Sequence, residues 1–229
     1  GNGDAADVDA LLKARLVDLF MGDWARHRKQ WRWAKVPGNP RWVPIPEDRD
    51  QAFSRYGGFL LDRVRGTDPR FQKFGPKYPK IGGLTYNGAE QDRQLLVPFS
   101  REEFVVAAKA LQAQLTDAAI EKAVRMMPPE WYAVDGARLT ADLRSRRDAL
   151  PEVAVKYHQH LAGRVDVRLP DRAERIETSR RPNGDTEVTV RVVGADGPPG
   201  PTTFHRVFDA QETGEIRFYT YGGNDTVKV

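Results

Sequence analysis

The stretch Leu19-Phe-Met-Gly-Asp-Trp-Ala-Arg-His-Arg-Lys-Gln-Trp-Arg-Trp33, followed by Pro44-Ile-Pro-Glu-Asp-Arg-Asp-Gln-Ala-Phe53, decides how this chain begins to fold. Apolar residues at spacings of three and four lead into it, which predicts an amphipathic helix over residues 5–22. The aromatic segments on either side of Pro37-Gly-Asn-Pro40 predict a β-hairpin at about residues 31–45. The sequence therefore predicts a helix, then a polar loop over residues 22–30, and then a hairpin.

The middle of the chain is predicted to be loop-rich first and helical afterwards. Residues 46–99 are rich in Gly, Pro and aromatic side chains, which is typical of ordered loops with short helices. Ser100 and Glu103 have the spacing of a capping box, which predicts the start of three helices over residues 101–161. A kink or a restart is expected at Pro151.

The last quarter of the chain changes to the periodicity of strands. After Gly163, apolar and polar side chains alternate, and Asn183-Gly184 is a hairpin turn signal. Gly197-Pro-Pro-Gly-Pro201 predicts another break. We therefore predict an α+β fold with a mainly helical domain over residues 1–163 and a small antiparallel β domain over residues 164–229.

Composition excludes several classes of function. The chain has 36 Lys and Arg against 32 Asp and Glu, and the net charge of +4 is too small to indicate a polyanion partner. The basic residues concentrate in residues 26–35, which we interpret as a solvated loop with ion pairs, so no nucleic acid is expected. The absence of cysteine excludes disulfides, thiolate catalysis and cysteine-ligated metals. No apolar run approaches 18 residues, so no membrane span is predicted in this sequence.

The polar loop between the helix and the hairpin has the layout of a phosphotransfer site. A His and a Gln follow Gly-Asp-Trp, and an acidic Asp-x-Asp follows the hairpin. Phosphotransfer needs a base that orients the acceptor hydroxyl, an amide and a carboxylate that hold Mg²⁺, and a cation near the phosphates. The alternative for these acids is a surface loop bridged by the neighbouring arginines.

Two resemblances bear on this loop. Residues 22–30 resemble the catalytic loop of atypical kinases of the HipA and secretory-pathway type, whose pattern is Gly-Asn/Asp-x-Asp-Arg-His-x-x-Asn/Gln, and residues 48–53 are similar to their metal-binding loop. Residues 24–53, 74–88 and 92–93 are similar to an uncharacterised segment of bacterial exported proteins, often joined to metallophosphoesterase or outer-membrane barrel domains. The resemblance implies a helical body built like the second lobe of such a kinase. It also implies partners within one larger protein, exported to the periplasm or the outer membrane.

The kinase resemblance implies roles for five side chains. Gln30 is the implied amide ligand and Asp48 the principal ligand of Mg²⁺ or Mn²⁺, with Asp50 as a second carboxylate. Arg26 and His27 are implied to fix the loop.

Position 25 departs from both families, because Ala25 stands where their catalytic Asp falls. A methyl group accepts no proton, and the loss of a positioned base costs about 100-fold to 10,000-fold in rate. Natural loss and an engineered substitution both explain this alanine.

These features predict a non-catalytic, kinase-like fragment of a larger exported protein that binds a divalent metal. Only 22 residues precede Asp23, too few for a nucleotide-binding lobe, so no nucleotide is expected to bind this chain. The leading Gly1 leads us to expect that a leader and an upstream domain precede it. One alternative is an interaction or spacer module that links an enzyme to an outer-membrane barrel. The other is a fragment of a competent kinase whose Ala25 is engineered; the oligomeric state stays open.

Overall fold

In the computed structural model, which describes residues 5–65, 67–194 and 199–229, the chain opens with the predicted helix. This helix, α1, spans Val8–Met21. Asp7 caps its start, because the carboxylate accepts a hydrogen bond from the Ala10 N–H at 3.0 Å. Gly22 ends it in the left-handed region, with φ of 70°. The buried face of α1 is apolar and consists of Leu11, Leu12, Leu16, Leu19 and Phe20.

The predicted hairpin is confirmed. Strand β1, Trp31–Lys35, pairs antiparallel with β2, Trp42–Pro46, and Trp31 is buried opposite Pro46. In the turn, the Asn39 N–H donates to the Val36 carbonyl at 3.0 Å, and Gly38 has a φ of 84°. A glycine at this position closes the turn without steric cost. A single 3-10 turn, Arg28–Gln30, leads from the polar loop into β1.

Short helices punctuate the loop-rich region, and longer helices follow it. The helices after the hairpin are α2, Phe59–Val64; α3, Ile81–Leu84; α4, Ala89–Leu95; α5, Arg101–Gln114; α6, Asp117–Val124; α7, Pro129–Trp131; and α8, Ala137–Ala162. A π-helix, Tyr132–Gly136, joins α7 to α8. Ser100 directly precedes α5, where the capping-box pattern predicts the helix to begin.

Pro151 lies inside α8, and the helix continues through it. Proline lacks the N–H that would bond the carbonyl four residues earlier, which here belongs to Arg147. Gln112 on α5 supplies the missing donor, because its Nε2 lies 3.0 Å from the Arg147 carbonyl oxygen. The predicted restart at Pro151 is therefore wrong, since a side chain of another helix satisfies the freed carbonyl.

Arg146 of α8 is fully buried and binds the end of α1. Its Nε donates to the Phe20 carbonyl at 2.7 Å, and its Nη2 donates to the Leu19 carbonyl at 2.6 Å. Its Nη1 donates to the carbonyls of Gly75 and Lys77. The bonds to Phe20 and Leu19 add side-chain donors to carbonyls of the last turn of α1, where main-chain helical donors run out. Burial lowers the pKa of Arg146 to about 10.

The C-terminal strands form two sheets. The strands are β3, Arg164–Arg168; β4, Glu174–Arg180; β5, Thr186–Val193; β6, Pro199–Phe208; β7, Glu215–Tyr219; and β8, Thr226–Lys228. One sheet has the order β6-β5-β4-β8, and the other consists of β3 and β7. The β4–β5 and β5–β6 pairs are antiparallel, as predicted, whereas β3–β7 and β4–β8 are parallel. The prediction of a wholly antiparallel sheet is wrong at these two pairs, because their strands are joined through other strands and not by tight turns.

The core of the sheets lies on the inward positions of the strands. Val188 and Val190 of β5 are fully buried together with Ile176 of β4 and Phe208 of β6. Asn183-Gly184 forms the β4–β5 turn, where Gly184 has a φ of 91°. The predicted break at residues 197–201 falls partly outside the described residues, which resume at Pro199.

The chain divides into two compact units. The described parts of Gly1–Gln91 and Arg101–His160 form one, and Asp92–Ser100 with Leu161–Val229 form the other. The sequence division at 163/164 placed residues 92–100 with the helices. Helices and sheets together confirm the predicted α+β class. Of the helices described, none has both the length and the apolar character that crossing a bilayer requires.

Candidate functional site

The polar loop begins where α1 turns sharply at Gly22. Main-chain bonds hold this turn, with the Gly22 N–H donating to the Leu19 carbonyl at 3.0 Å and the Asp23 N–H to the Asp18 carbonyl at 2.9 Å. A Cβ at Gly22 would lie 2.9 Å from the Phe74 ring, and the backbone is left-handed there. Both constraints require glycine at this position.

Arg26 is the centre of the loop and has a fully buried side chain. Its Nε lies 2.9 Å from Asp18 Oδ2, and its Nη2 lies 3.0 Å from Asp23 Oδ2. Its Nη1 donates to the main-chain carbonyls of Gln30 and Glu47. One guanidinium therefore joins the end of α1, the polar loop and the segment that follows the hairpin.

The charges around Arg26 nearly balance within a buried cluster. Arg15 Nη1 donates to Asp18 Oδ2 at 3.0 Å, and both side chains are buried. Burial, and after it the Asp18 carboxylate, raises the pKa of Asp23, while the Arg26 guanidinium opposes that rise. Arg49 reaches the same cluster from residues 47–53, the acidic loop, with its Nη2 3.5 Å from Asp18 Oδ1.

Gln30 joins the polar loop to the acidic loop. Its Oε1 accepts a hydrogen bond from the His27 N–H at 3.2 Å, and its Nε2 donates to Asp48 Oδ2 at 3.0 Å. His27 itself is exposed, and its Nδ1 accepts from the Lys29 N–H. The two ends of the Gln30 amide therefore have different partners, which fixes its orientation.

The acidic loop is held against the polar loop by its main chain as well. The Glu47 N–H donates to the Gln30 carbonyl and the Phe53 N–H to the Met21 carbonyl, each at 2.9 Å. Asp48 has a φ of 55°, a left-handed conformation that is uncommon outside glycine but best tolerated by Asp and Asn. The Gln30 amide, followed by the Asp50 N–H, lowers the pKa of Asp48.

The structure brings Gln30 and Asp48 into direct contact and places Asp50 beside them. Asp48 and Asp50 are exposed, and the Asp50 side chain contributes to the lowered pKa of Asp48, so the two carboxyl groups are neighbours. Asp50 also accepts a hydrogen bond from Gln51 at 2.8 Å. Ala25 is half-buried, and its N–H donates to Asp23 Oδ1 at 3.2 Å.

The donor set fits a hydrated Mg²⁺ or Mn²⁺ better than an enclosed ion. Carboxylate oxygens of Asp48 and Asp50 are hard ligands, and Mg²⁺ commonly keeps several waters beside one or two carboxylates. The Gln30 oxygen, the atom that an amide ligand would use, is already engaged by the His27 N–H. Within residues 5–65, 67–194 and 199–229, no three Asp, Glu or His side chains form a metal-ligand group.

Sequence reasoning missed two members of the buried cluster, Arg15 and Asp18. Both lie on the face of α1 that is otherwise apolar, three residues apart. Charged residues at helical spacing on an apolar face are seldom buried unless they are paired, and this signal was available in the sequence.

An aromatic cluster adjoins the polar loop. The Trp24 ring lies 6.1 Å from the Tyr56 ring and 5.2 Å from the Phe71 ring, measured between centroids. Phe71 has a φ of 57°, which is rare for so large a side chain. The Asn87 Nδ2 donates to the Trp24 carbonyl at 3.3 Å, and Gly88 lies against the buried cluster.

Comparison with protein-family models, curated proteins and solved structures found no match to this chain.

Proposed function

We propose that residues 22–50 form a non-catalytic, phosphotransferase-like site that binds a hydrated divalent cation at Asp48, within a larger exported bacterial protein. The observation that carries the proposal is the 3.0 Å hydrogen bond between Gln30 and Asp48. It joins two residues, 18 apart in sequence, to which the resemblance to atypical kinases assigns the metal. The proposed metal is Mg²⁺ or Mn²⁺, and no nucleotide is proposed.

The buried cluster supports a structural role for the polar loop. Asp23, the first carboxylate of the loop, has a fully buried side chain and bonds Arg26, so it is not presented to a substrate. Ala25 offers no proton acceptor where the kinase pattern has its base. The exposed carboxylates of Asp48 and Asp50 are the groups of this site that can still meet a cation from solution.

Titration with Mg²⁺ and Mn²⁺, followed by thermal unfolding, tests the proposal. A dissociation constant on the order of 1 mM stabilises the folded chain by about 1.4 kcal/mol at 10 mM cation, or about 3 °C in Tm. Asp48→Asn should abolish the shift. Asparagine tolerates the left-handed backbone and removes the charge, whereas alanine would add strain.

Asp148→Asn is the matched control, because Asp148 is an exposed aspartate of α8 that pairs with Arg147. It should keep the full cation response. An equal response from the Asp48 and Asp148 variants, or no shift at 10 mM in the unmodified chain, would contradict metal binding at Asp48. The second result would favour the interaction or spacer module.

A further inference from the structure

The open edge of β3 is a surface that the proposed cation site leaves unexplained. Among the described strands, β7 alone pairs with β3, and it does so on one side. A cleft borders β3, and its lining includes Thr203 and Phe204 of β6 but none of the described residues of β7. An unpaired strand edge presents main-chain donors and acceptors in the spacing that another strand requires.

The hydrogen bonds to β7 identify which main-chain groups of β3 face this edge. Directly after β3, the Leu169 N–H donates to the Tyr219 carbonyl of β7 at 3.0 Å. In a parallel pair, residues that bond the neighbouring strand alternate with residues whose main-chain groups point away from it. The N–H and C=O groups of Asp166 and Arg168 therefore point to the open edge. Within the described residues, no main-chain group outside the β3–β7 pair bonds them.

The cleft at this edge has the size of one or two side chains. Its volume is about 160 Å³, which is below the range of about 300–1,000 Å³ that is typical of small-molecule pockets. All of its lining residues belong to the unit formed by residues 92–100 and 161–229. Its apolar lining consists of Val97, Pro98, Val167, Leu169, Pro170 and Phe204. Val97 and Leu169 are also core residues, so an apolar side chain in the cleft would extend the core.

Asp166 gives the open edge a charge without a partner. Its side chain is half-buried, and its Oδ1 is buried and accepts no hydrogen bond from any described residue. Arg217 lies beside it on β7 but donates to Glu215 at 2.8 Å. Arg168 follows it on the same face of β3 but donates to the Tyr221 hydroxyl at 2.7 Å. A cation on an added strand would therefore meet a carboxylate whose neighbouring arginines are bonded elsewhere.

We infer that residues 164–168 of β3 bind an extended segment of a partner polypeptide, added as a strand in which a basic residue lies beside Asp166 and the residues next to it are apolar. Main-chain groups at the edge specify a strand as the occupant, because an extended chain repeats donors and acceptors at that spacing. Successive side chains of a strand point to opposite faces. Val165 and Val167 face the core, so the apolar side chains of the added strand enter the cleft on that face, and its basic side chain lies on the face of Asp166.

A short peptide provides the first test. The probe is the capped peptide Thr-Val-Lys-Val-Thr, added to the whole chain at 5 mM while amide-hydrogen exchange with water is followed by NMR. With a dissociation constant on the order of 1 mM, exchange of the Arg168 N–H should slow about sixfold. The Val97 methyl resonances should shift with the same concentration dependence, because Val97 lines the cleft. The same peptide with each main-chain nitrogen methylated should produce neither effect.

A charge exchange tests the contact with Asp166. The unmodified chain should bind the probe about two- to fivefold more tightly than the same peptide with glutamate in place of lysine, which is the range of an exposed cross-strand ion pair. Asp166→Lys should reverse this preference. Glu177→Gln is the matched control, because Glu177 is a carboxylate of the other sheet that pairs with Arg191, and it should keep the preference of the unmodified chain.

Four results would overturn the inference. The first is an unchanged Arg168 exchange rate with unchanged Val97 resonances at 5 mM peptide. The second and third are equal binding of the methylated peptide and equal binding of the glutamate peptide by the unmodified chain. Neither comparison alters the protein, so neither depends on how Asp166→Lys folds. The fourth is slowing that develops with protein concentration in the absence of peptide, which would assign the edge to a second copy of this chain.

Discussion

Among the basic residues of the polar loop, Arg26 differs from its neighbours in burial. Its guanidinium is fully buried between Asp18 and Asp23, whereas the Arg28 side chain is exposed. Composition alone shows both as members of one basic cluster. A buried ion pair adds little stability beyond an apolar replacement of the whole set, but removing one partner leaves an uncompensated charge.

Arg26→Met should therefore lower the free energy of unfolding by about 3–5 kcal/mol, because Asp18 and Asp23 would stay buried without their main partner. Urea unfolding followed by circular dichroism measures the change. Arg28→Met is the control and should remain within about 0.5 kcal/mol of the unmodified chain. Similar losses in the two variants would contradict a stabilising role for the buried ion pairs of Arg26.

For single residues, the sequence motif of the polar loop predicted some of the side-chain contacts and missed others. Spacing and resemblance led to Gln30 and Asp48, and these two residues are in contact. The motif also implied a free amide oxygen on Gln30, but that atom accepts from the His27 N–H. A linear pattern gives residue types and leaves open which atoms are already engaged.

The helix α8 shows how one element depends on another. Pro151 removes the N–H that Arg147 would use, and Gln112 of α5 supplies the replacement donor at 3.0 Å. A carbonyl inside a helix that lost both donors would retain its desolvation penalty. The continuity of α8 is therefore coupled to one side chain on α5.

Gln112→Ala should destabilise the chain by about 1–2 kcal/mol, because it leaves the Arg147 carbonyl without its side-chain donor. Gln114→Ala is a matched control, since Gln114 is on the same helix and is exposed. The control should change the free energy of unfolding by less than about 0.5 kcal/mol. Chemical denaturation of both variants decides, and equal effects would contradict the role of Gln112.

The strands were harder to predict than the helices, for a reason visible in their sequences. β4 carries Ile176 as its one aliphatic residue, and β8 has three residues, so neither gives a clear alternation. The inward positions of β4 are shared between Ile176, Thr178 and Glu174. Packing against β5 determines these strands, and local periodicity does not reveal that packing.

At the scale of the whole molecule, residues 92–100 belong to the same compact unit as the C-terminal strands. The contacts that place them there are distant in sequence. Val97 lies in the same buried cluster as Val188 and Val190 of β5. Arg206 of β6 also donates to the Val97 carbonyl. Nothing in the local pattern near Val97 signals these partners, because they come much later in the chain, Arg206 by 109 residues.

Introducing an aspartate at position 25 tests the resemblance of the polar loop to a kinase catalytic loop. Ala25→Asp should give no transfer of phosphate from radiolabelled ATP above the background of the unmodified chain. Phosphotransfer needs an amide as well as a carboxylate on the metal, and the Gln30 oxygen is engaged by the His27 N–H. Incorporation of label by the Ala25→Asp chain in the presence of Mg²⁺ would contradict this expectation. A folded variant, checked by circular dichroism, is the condition for the comparison.

Gly88 is distant from the polar loop in sequence but packs closely against its buried cluster. A methyl group there would lie 2.9 Å from Arg15 Nη2 and 3.0 Å from the Arg26 carbonyl oxygen. A side chain at position 88 would push the main chain around Gly88 away from Arg15 and Arg26 and admit water beside them. The residues that build this cluster, Asp18, Arg26 and Gly88, are therefore widely separated in sequence. A search of other sequences with the short motif of the polar loop alone would also accept chains in which this cluster is open to water.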